Sequence, residues 1–174
     1  TSERAGQIVA LLRERGARRV LDLGCAIGRL SMLIAAQGIA VQGLDASAKA
    51  IAFARSWAHD EQMPDIHFDV GMASTLPYAD GSFDAVVANA ILDHMPLSEA
   101  QKTVREVYSV LRPGGLVFAS FDGDGGKEAE AHHTFEDGKH GRTRFTLAEY
   151  PLPSSEEFNP MTRTPATVFG LRGR

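Results

Sequence analysis

Apolar positions along the first 121 residues alternate between two periods, and that alternation predicts most of the elements. Ala5, Ile8, Val9 and Leu12 recur at helical spacing, and Gly16 is placed to stop that helix. Arg19 to Leu23 reads as a short buried strand that ends in a glycine-bearing turn. Leu30, Leu33 and Ile34 form the next helical stripe, closed by Gly38, and Val41 to Asp45 is a second strand. Ser47 suits the N-cap of a helix that carries Ile51, Ala54 and Trp57 inward. Ile66 to Val70 alternates as a third strand. Phe83 to Ala88 is continuously apolar after Asp84, the pattern of a strand covered on both faces. Ser98 and Gln101 form a capping box for a helix bearing Val104, Val107, Tyr108 and Leu111. Pro113-Gly114-Gly115 then turns the chain into a fifth strand, Leu116 to Phe121.

Strand and helix in strict alternation, with short connections, imply a parallel sheet wrapped on both sides. Right-handed crossovers restrict such a sheet to doubly wound topologies. The rhythm stops after Phe121. Residues 122–142 are rich in glycine, acids and histidine and read as an exposed loop. Arg144 to Leu147 and Thr167 to Leu171 are two more candidate strands, and a helix starting at Glu156 is stopped by Pro160.

Composition narrows the picture without redirecting it. A chain of 174 residues with 44% hydrophobic content suits one domain with a sizeable core. No apolar stretch approaches the roughly 18 residues that span a bilayer. The first sixteen residues carry charges where a secretory signal needs an apolar run. The net charge of −4 argues against a nucleic-acid partner, and the single cysteine excludes an intrachain disulfide. A cytoplasmic protein without membrane or nucleic-acid partners is expected.

Candidate chemistry concentrates in Val20-Leu-Asp-Leu-Gly-Cys-Ala-Ile-Gly-Arg29, where a strand hands over to a helix. In doubly wound folds that turn is where cofactors sit. Gly24 and Gly28 permit close approach of a ligand, and the following helix offers unpaired N–H groups to an anionic group. Asp45 ends the second strand 21 residues past Gly24, where an acid can accept hydrogen bonds from both ribose hydroxyls. A dinucleotide fingerprint needs a third glycine at position 29, which is Arg29; a nicotinamide-dependent oxidoreductase is disfavoured on that ground.

The order Asp22-x-Gly24-x-Ala26-x-Gly28 instead resembles motif I of the class I S-adenosylmethionine-dependent methyltransferases. Four further segments resemble that family in order and spacing: Gly43-Leu-Asp45, Leu76-Pro-Tyr-Ala-Asp-Gly-Ser-Phe-Asp84, Asn89-Ala-Ile-Leu-Asp-His94 and Leu111-Arg-Pro-Gly-Gly115. The resemblance implies a Rossmann-like α/β fold with a mostly parallel seven-stranded sheet, order 3-2-1-4-5-7-6, whose last strand is antiparallel. It implies one domain over residues 1–174, with a cofactor half over about 1–121 and a substrate-side part over about 122–174. It further implies methyl transfer from S-adenosylmethionine, leaving S-adenosylhomocysteine, to an unidentified small-molecule acceptor by in-line displacement. Cofactor contacts then fall to Asp22, Gly24, Cys25, Ala26, Gly28, Asp45, Ala46, Met72, Ala73, Asn89 and Ala90. Asp22 is placed as a scaffold for the glycine loop and the cofactor's ammonium, and Asn89 near its methionine part. No nucleobase-methylase signature follows strand four. The sequence does not choose between monomer and homodimer.

Two positions depart from the family. Ala26 stands where the middle glycine is usual, and Met72 where many members carry the aspartate that accepts the adenine amino group. A thioether accepts poorly but packs well against a ring. These departures keep open a second reading, a non-catalytic cofactor-binding or scaffold protein on the same fold. The family carries no universal catalytic residue. Asp93 and His94 follow strand four, where the acceptor pocket opens in the family; they suit helix capping, and His94 is also the candidate general base. Cys25 reads as loop packing and Trp57 as core. His132, His133 and His140 lack the spacing of a zinc motif, so no metal is expected. Against the family's architecture, residues are expected to be missing near Thr1 and around Phe158.

Overall fold

The computed structural model describes residues 2–121, 128–134, 140–146 and 167–172. Helix and strand alternate as α1 (Ser2–Glu14), β1 (Arg19–Leu23), α2 (Arg29–Ala35), β2 (Ala40–Asp45), α3 (Ala48–Asp60), β3 (Ile66–Val70) and β4 (Phe83–Asn89). A 3-10 turn at Leu92–His94 leads into α4 (Leu97–Val110) and β5 (Leu111–Phe121). Three strands follow, β6 (Glu128–Thr134), β7 (His140–Thr146) and β8 (Thr167–Arg172). The first five strands pair in parallel in the order β3-β2-β1-β4-β5. The α/β, Rossmann-like reading therefore holds.

Side chains alternate across this sheet, so each face builds its own core. Val20, Val41, Phe68, Ala85, Val87 and Phe118 pack with Ile8 and Leu12 of α1, Ile34 of α2 and Ile51 and Ala54 of α3. Leu21, Leu23, Leu44, Val86 and Val117 face the other way, onto Val107 and Val110 of α4. Among the described residues, three helices thus cover one face and α4 the other. At the amino edge of the sheet, Asp84 is 9% exposed and accepts from the backbone N–H groups of Arg18 (2.6 Å) and Arg19 (3.0 Å). Its other oxygen pairs with the Arg112 guanidinium at 2.8 Å. One carboxylate thereby joins the starts of β1, β4 and β5.

Several expectations are corrected by tertiary contacts. Leu33 is 51% exposed, and the buried face of α2 is instead Ser31, Met32 and Ile34. A buried partner of Ser31, described below, sets that rotation. Ser98 and Gln101 form no capping box, because α4 starts earlier: Pro96 is its N-cap and its carbonyl accepts from Glu99 and Ala100. The Ser47 cap is observed, its hydroxyl accepting from the Ala50 N–H at 3.2 Å. Trp57 packs against the core as expected, half-buried and edge-on to the exposed ring of Phe53. Leu111 already pairs with Phe83, and the ladder slips between Phe83 and Ala85 before resuming at Leu116.

Beyond β5 the differences are larger. Within the stretch expected as loop, β6 and β7 pair as an antiparallel two-stranded sheet; the alternation Glu128-Ala-Glu-Ala131 was its period-two signal. Residues 144–146 therefore pair with β6 and contribute no strand to the main sheet. β8 takes the open edge of β5, in parallel register from Leu116↔Thr167 to Phe121↔Arg172. Among the described residues β8 runs parallel to β5, whereas the resemblance implied an antiparallel last strand; the rest of the seven-stranded order lies outside the described residues. The helix expected at Glu156 and the gap expected around Phe158 lie outside the described residues.

Replacing Asp84 with Ala leaves two backbone donors and an arginine without their acceptor. The expected cost is about 2 kcal/mol of unfolding free energy, read from urea denaturation. A loss below ~0.5 kcal/mol would show that water replaces the carboxylate.

Candidate functional site

Strand register brings the sequence-identified residues to one edge. Leu23 lies opposite Leu44 on one side and Ala88 on the other, so Gly24, Asp45 and Asn89 occupy the next row. Val70 is level with Asp45, and Gly71, Met72 and Ala73 follow it. The carboxyl ends of four parallel strands converge there, as expected of a doubly wound sheet.

The turn from β1 to α2 is built on positive φ angles. Gly24 has φ 72° and Gly28 φ 82°. A Cβ at Gly24 would lie 2.5 Å from Ile91 Cδ1, and one at Gly28 would lie 2.7 Å from Phe68 Cζ. Both glycines are required by conformation and by space. Ala26 also sits in the left-handed region, φ 49°, where a Cβ costs on the order of 1 kcal/mol. Its N–H donates to Asp45 Oδ2 at 2.9 Å, and the N–H groups of Gly24 and Cys25 donate to the Leu44 carbonyl at 2.8 and 3.1 Å. Oδ1 of Asp45 accepts from the Ser47 N–H at 2.8 Å. Ala46 is exposed between them.

Asp22 sits behind this loop and is 2% exposed. Ser31 donates to it through its hydroxyl, at 2.5 Å, and through its backbone N–H. Gly28, the N-cap of α2, has no side chain to satisfy that turn, and Asp22 does so from the neighbouring strand. Burial pushes the Asp22 carboxyl up to about 6, reinforced by the charge of Asp45 and opposed by the Ser31 hydrogen bonds. Cys25 is 7% exposed; burial, then Asp22 and Asp45, push its thiol far up, so it is a packed thiol and not a thiolate.

The remaining positions ring the same edge. Met72 is 60% exposed and Ala73 is buried. The Gly71 N–H donates to the Asp45 carbonyl at 3.0 Å, tying this segment to β2. Asn89 ends β4 and Ala90 follows it, both half-buried, with Ala90 at φ 53°. His94 is exposed on the 3-10 turn, its N–H donating to the Ile91 carbonyl at 3.1 Å, and β6 runs beside that turn. The Asp93 side chain, like those of His132, His133 and His140, lies outside the described residues. Among the described residues, no group of three or more His, Cys, Asp or Glu is arranged to hold a metal ion, and no helix is long and apolar enough to cross a membrane. Sequence reasoning missed Ile91, Phe68 and Ser31. The first two are signalled only by the glycines they press upon, the third only by its partner one strand away.

The raised Asp22 carboxyl gives a pH dependence of stability. Its folded value exceeds the ordinary 3.8, so between about pH 4 and 6 the folded chain binds more protons than the unfolded one. Stability from this group is greatest at low pH and falls as pH rises through that window. Asp22→Asn, which still accepts from Ser31, should flatten that slope in urea midpoints measured from pH 4 to 7. A slope equal to wild type would contradict the assignment.

Comparisons with known proteins identify the family. A model of the methyltransferase domain matches residues 20–115. The 27-O-demethylrifamycin SV methyltransferase of Amycolatopsis mediterranei is 33% identical over 156 residues, 86% of this chain and 57% of that protein. Among solved structures, the YcgJ protein of Bacillus subtilis superposes with TM-score 0.62 at 27% identity, covering 79% of this chain and 53% of that one. The [4+2]-cyclase SpnF does so with TM-score 0.58 at 32% identity, covering 64% and 42%. The chain spans about half the length of the curated relatives it matches. With more than half of its own residues matched by the family model, the chain belongs to the methyltransferase domain family, within the class I S-adenosylmethionine-dependent methyltransferases.

Proposed function

We propose that the chain transfers a methyl group from S-adenosylmethionine to a small-molecule acceptor, leaving S-adenosylhomocysteine. The observation that carries the reading is the row of Gly24, Asp45 and Asn89 at one sheet edge, with a positive-φ loop above it. The residues fit the cofactor. Each Asp45 oxygen accepts one N–H and keeps a lone pair for a ribose hydroxyl. Gly24, Cys25, Ala26 and Gly28 line the path of the methionine part, with Asn89 and Ala90 across from them. Ala46, Met72 and Ala73 border the nucleoside, Met72 offering its thioether to the adenine face. Asp22 acts behind the loop through Ser31.

S-adenosylmethionine supplies a methyl group already activated on a sulfonium. The chain's own task is to orient an acceptor in line with that group and exclude water. His94 is the candidate base for an acceptor that must lose a proton. The rifamycin-type acceptor in one relative's name supports a small molecule here. The single buried cysteine suits a reducing compartment, the cytoplasm.

Calorimetry with S-adenosylmethionine, followed by a labelled-methyl assay over pools of small hydroxylated and amino compounds, tests the reading. Binding and transfer are expected, and His94→Ala should lower transfer by about 100-fold. Binding without transfer to any pool would favour the scaffold reading that Ala26 and Met72 keep open, and absence of binding would overturn both. Near-wild-type transfer by His94→Ala would remove that residue from the reaction.

Met72→Asp should tighten the cofactor about 3- to 10-fold by restoring an acceptor for the adenine amino group. Unchanged affinity would mean that packing and backbone contacts alone hold the base.

A further inference from the structure

The segment between β3 and β4, residues 71–82, forms one wall of the proposed cofactor site, and its fastenings lie mostly on α4. The Leu76 N–H donates to Glu106 Oε2 at 2.7 Å, and the Gly81 N–H donates to the Ser109 carbonyl at 2.9 Å. The Ser109 hydroxyl donates to Asp80, and Glu99 is hydrogen-bonded to Ser74. Positions 99, 106 and 109 share one face of α4. On the sheet side, Tyr78, kept a neutral donor by burial, donates to Asp69 at 3.2 Å. The same helix holds the opposite wall: Ala100, Val104 and Tyr108 pack on Leu92, and the Thr103 hydroxyl donates to Met95 Sδ at 3.4 Å.

We propose that Glu106 is a positioning residue for the cofactor. Its carboxylate fixes the Leu76 amide and, through it, the run Met72–Leu76 against which the nucleoside packs. This rests on the cofactor reading above. The Leu76 side chain is 8% exposed, within the core formed with Val107 and Leu111, so its amide is held on the side-chain side by packing and on the N–H side by one acceptor. Without Glu106, the Leu76 N–H would turn toward water, and Met72 and Ala73 would lose their fixed height above Asp45. Glu106 is not in reach of the reacting atoms by this account, and it acts only through the segment it holds.

The test is calorimetry of S-adenosylhomocysteine and of adenosine with wild type, Glu106→Ala and Glu106→Gln. Glu106→Ala should weaken both ligands by the same factor, about tenfold (~1.4 kcal/mol). Glu106→Gln, whose amide oxygen still accepts, should stay within twofold. The Leu76 amide should exchange hydrogen faster in Glu106→Ala without any ligand. A purely structural role would lower the melting temperature and leave the affinity of the folded protein unchanged. Affinity of folded Glu106→Ala within twofold of wild type overturns the proposal, as does Glu106→Gln as weak as Glu106→Ala. Should Glu106→Ala fail to fold, Glu106→Asp, which withdraws the carboxylate by one methylene, carries the test: several-fold weakening is expected, and none overturns it. Wild type that binds neither ligand would overturn the cofactor reading instead.

Discussion

A carboxylate buried in the central strand governs the candidate site. Asp22 carries an expensive charge out of water, and Ser31 supplies the hydrogen bonds that hold it there. The need for it follows from the loop. Phe68 leaves no room for a side chain at position 28, so the N-cap of α2 is glycine and cannot cap. A helix of seven residues is too short to persist on its own, and its first turn takes its acceptor from β1. The same bond turns Ser31 inward and Leu33 outward, so one interaction sets both the loop's anchorage and the rotation of α2.

Asp84 and Asp45 stand at opposite ends of a largely apolar sheet. At the amino edge Asp84 gathers two backbone donors and an arginine, and the edge is closed. At the carboxyl edge Asp45 accepts one N–H on each oxygen and retains accepting capacity. Both carboxylates organise the starts or ends of neighbouring strands. The one at the carboxyl edge is the one left able to bind.

What the sequence revealed and what it hid follow from the range of each interaction. β1 and β3 are legible to the residue because each shows its pattern in five consecutive letters, a mostly apolar run for β1 between two neighbours and an alternation for β3 at the sheet edge. Gly24, Gly28 and Asp45 were legible because turn geometry and strand length fix their spacing locally. The rotation of α2 was not, since the periodicity of Leu30, Leu33 and Ile34 says nothing of a carboxylate nine residues upstream. The start of α4 was placed late, because Ser98 offered a familiar signal while the Pro96 carbonyl did the accepting. Glu106 lies 30 residues from the amide it holds, and no motif spans that distance. The strand direction beyond β5 depends on which edge is still open, a property of the assembled sheet.

The two departures from the family meet at Asp45. Ala26 is held in a left-handed conformation by a hydrogen bond to the Asp45 carboxylate, and Gly71, which precedes Met72, is held by a bond to the Asp45 carbonyl. One residue therefore fixes both the loop that carries Ala26 and the segment that carries Met72. Strain at Ala26 is borne because its N–H has a carboxylate acceptor, and the exposed Met72 lies in a run tied to Asp45 before it and to Glu106 after it. In the proposed site, with Ala26 and Met72 at the flanking positions, the polar contacts fall on the ribose side, at Asp45. On that proposal the base packs against the segment that the Leu76–Glu106 hydrogen bond fastens to α4.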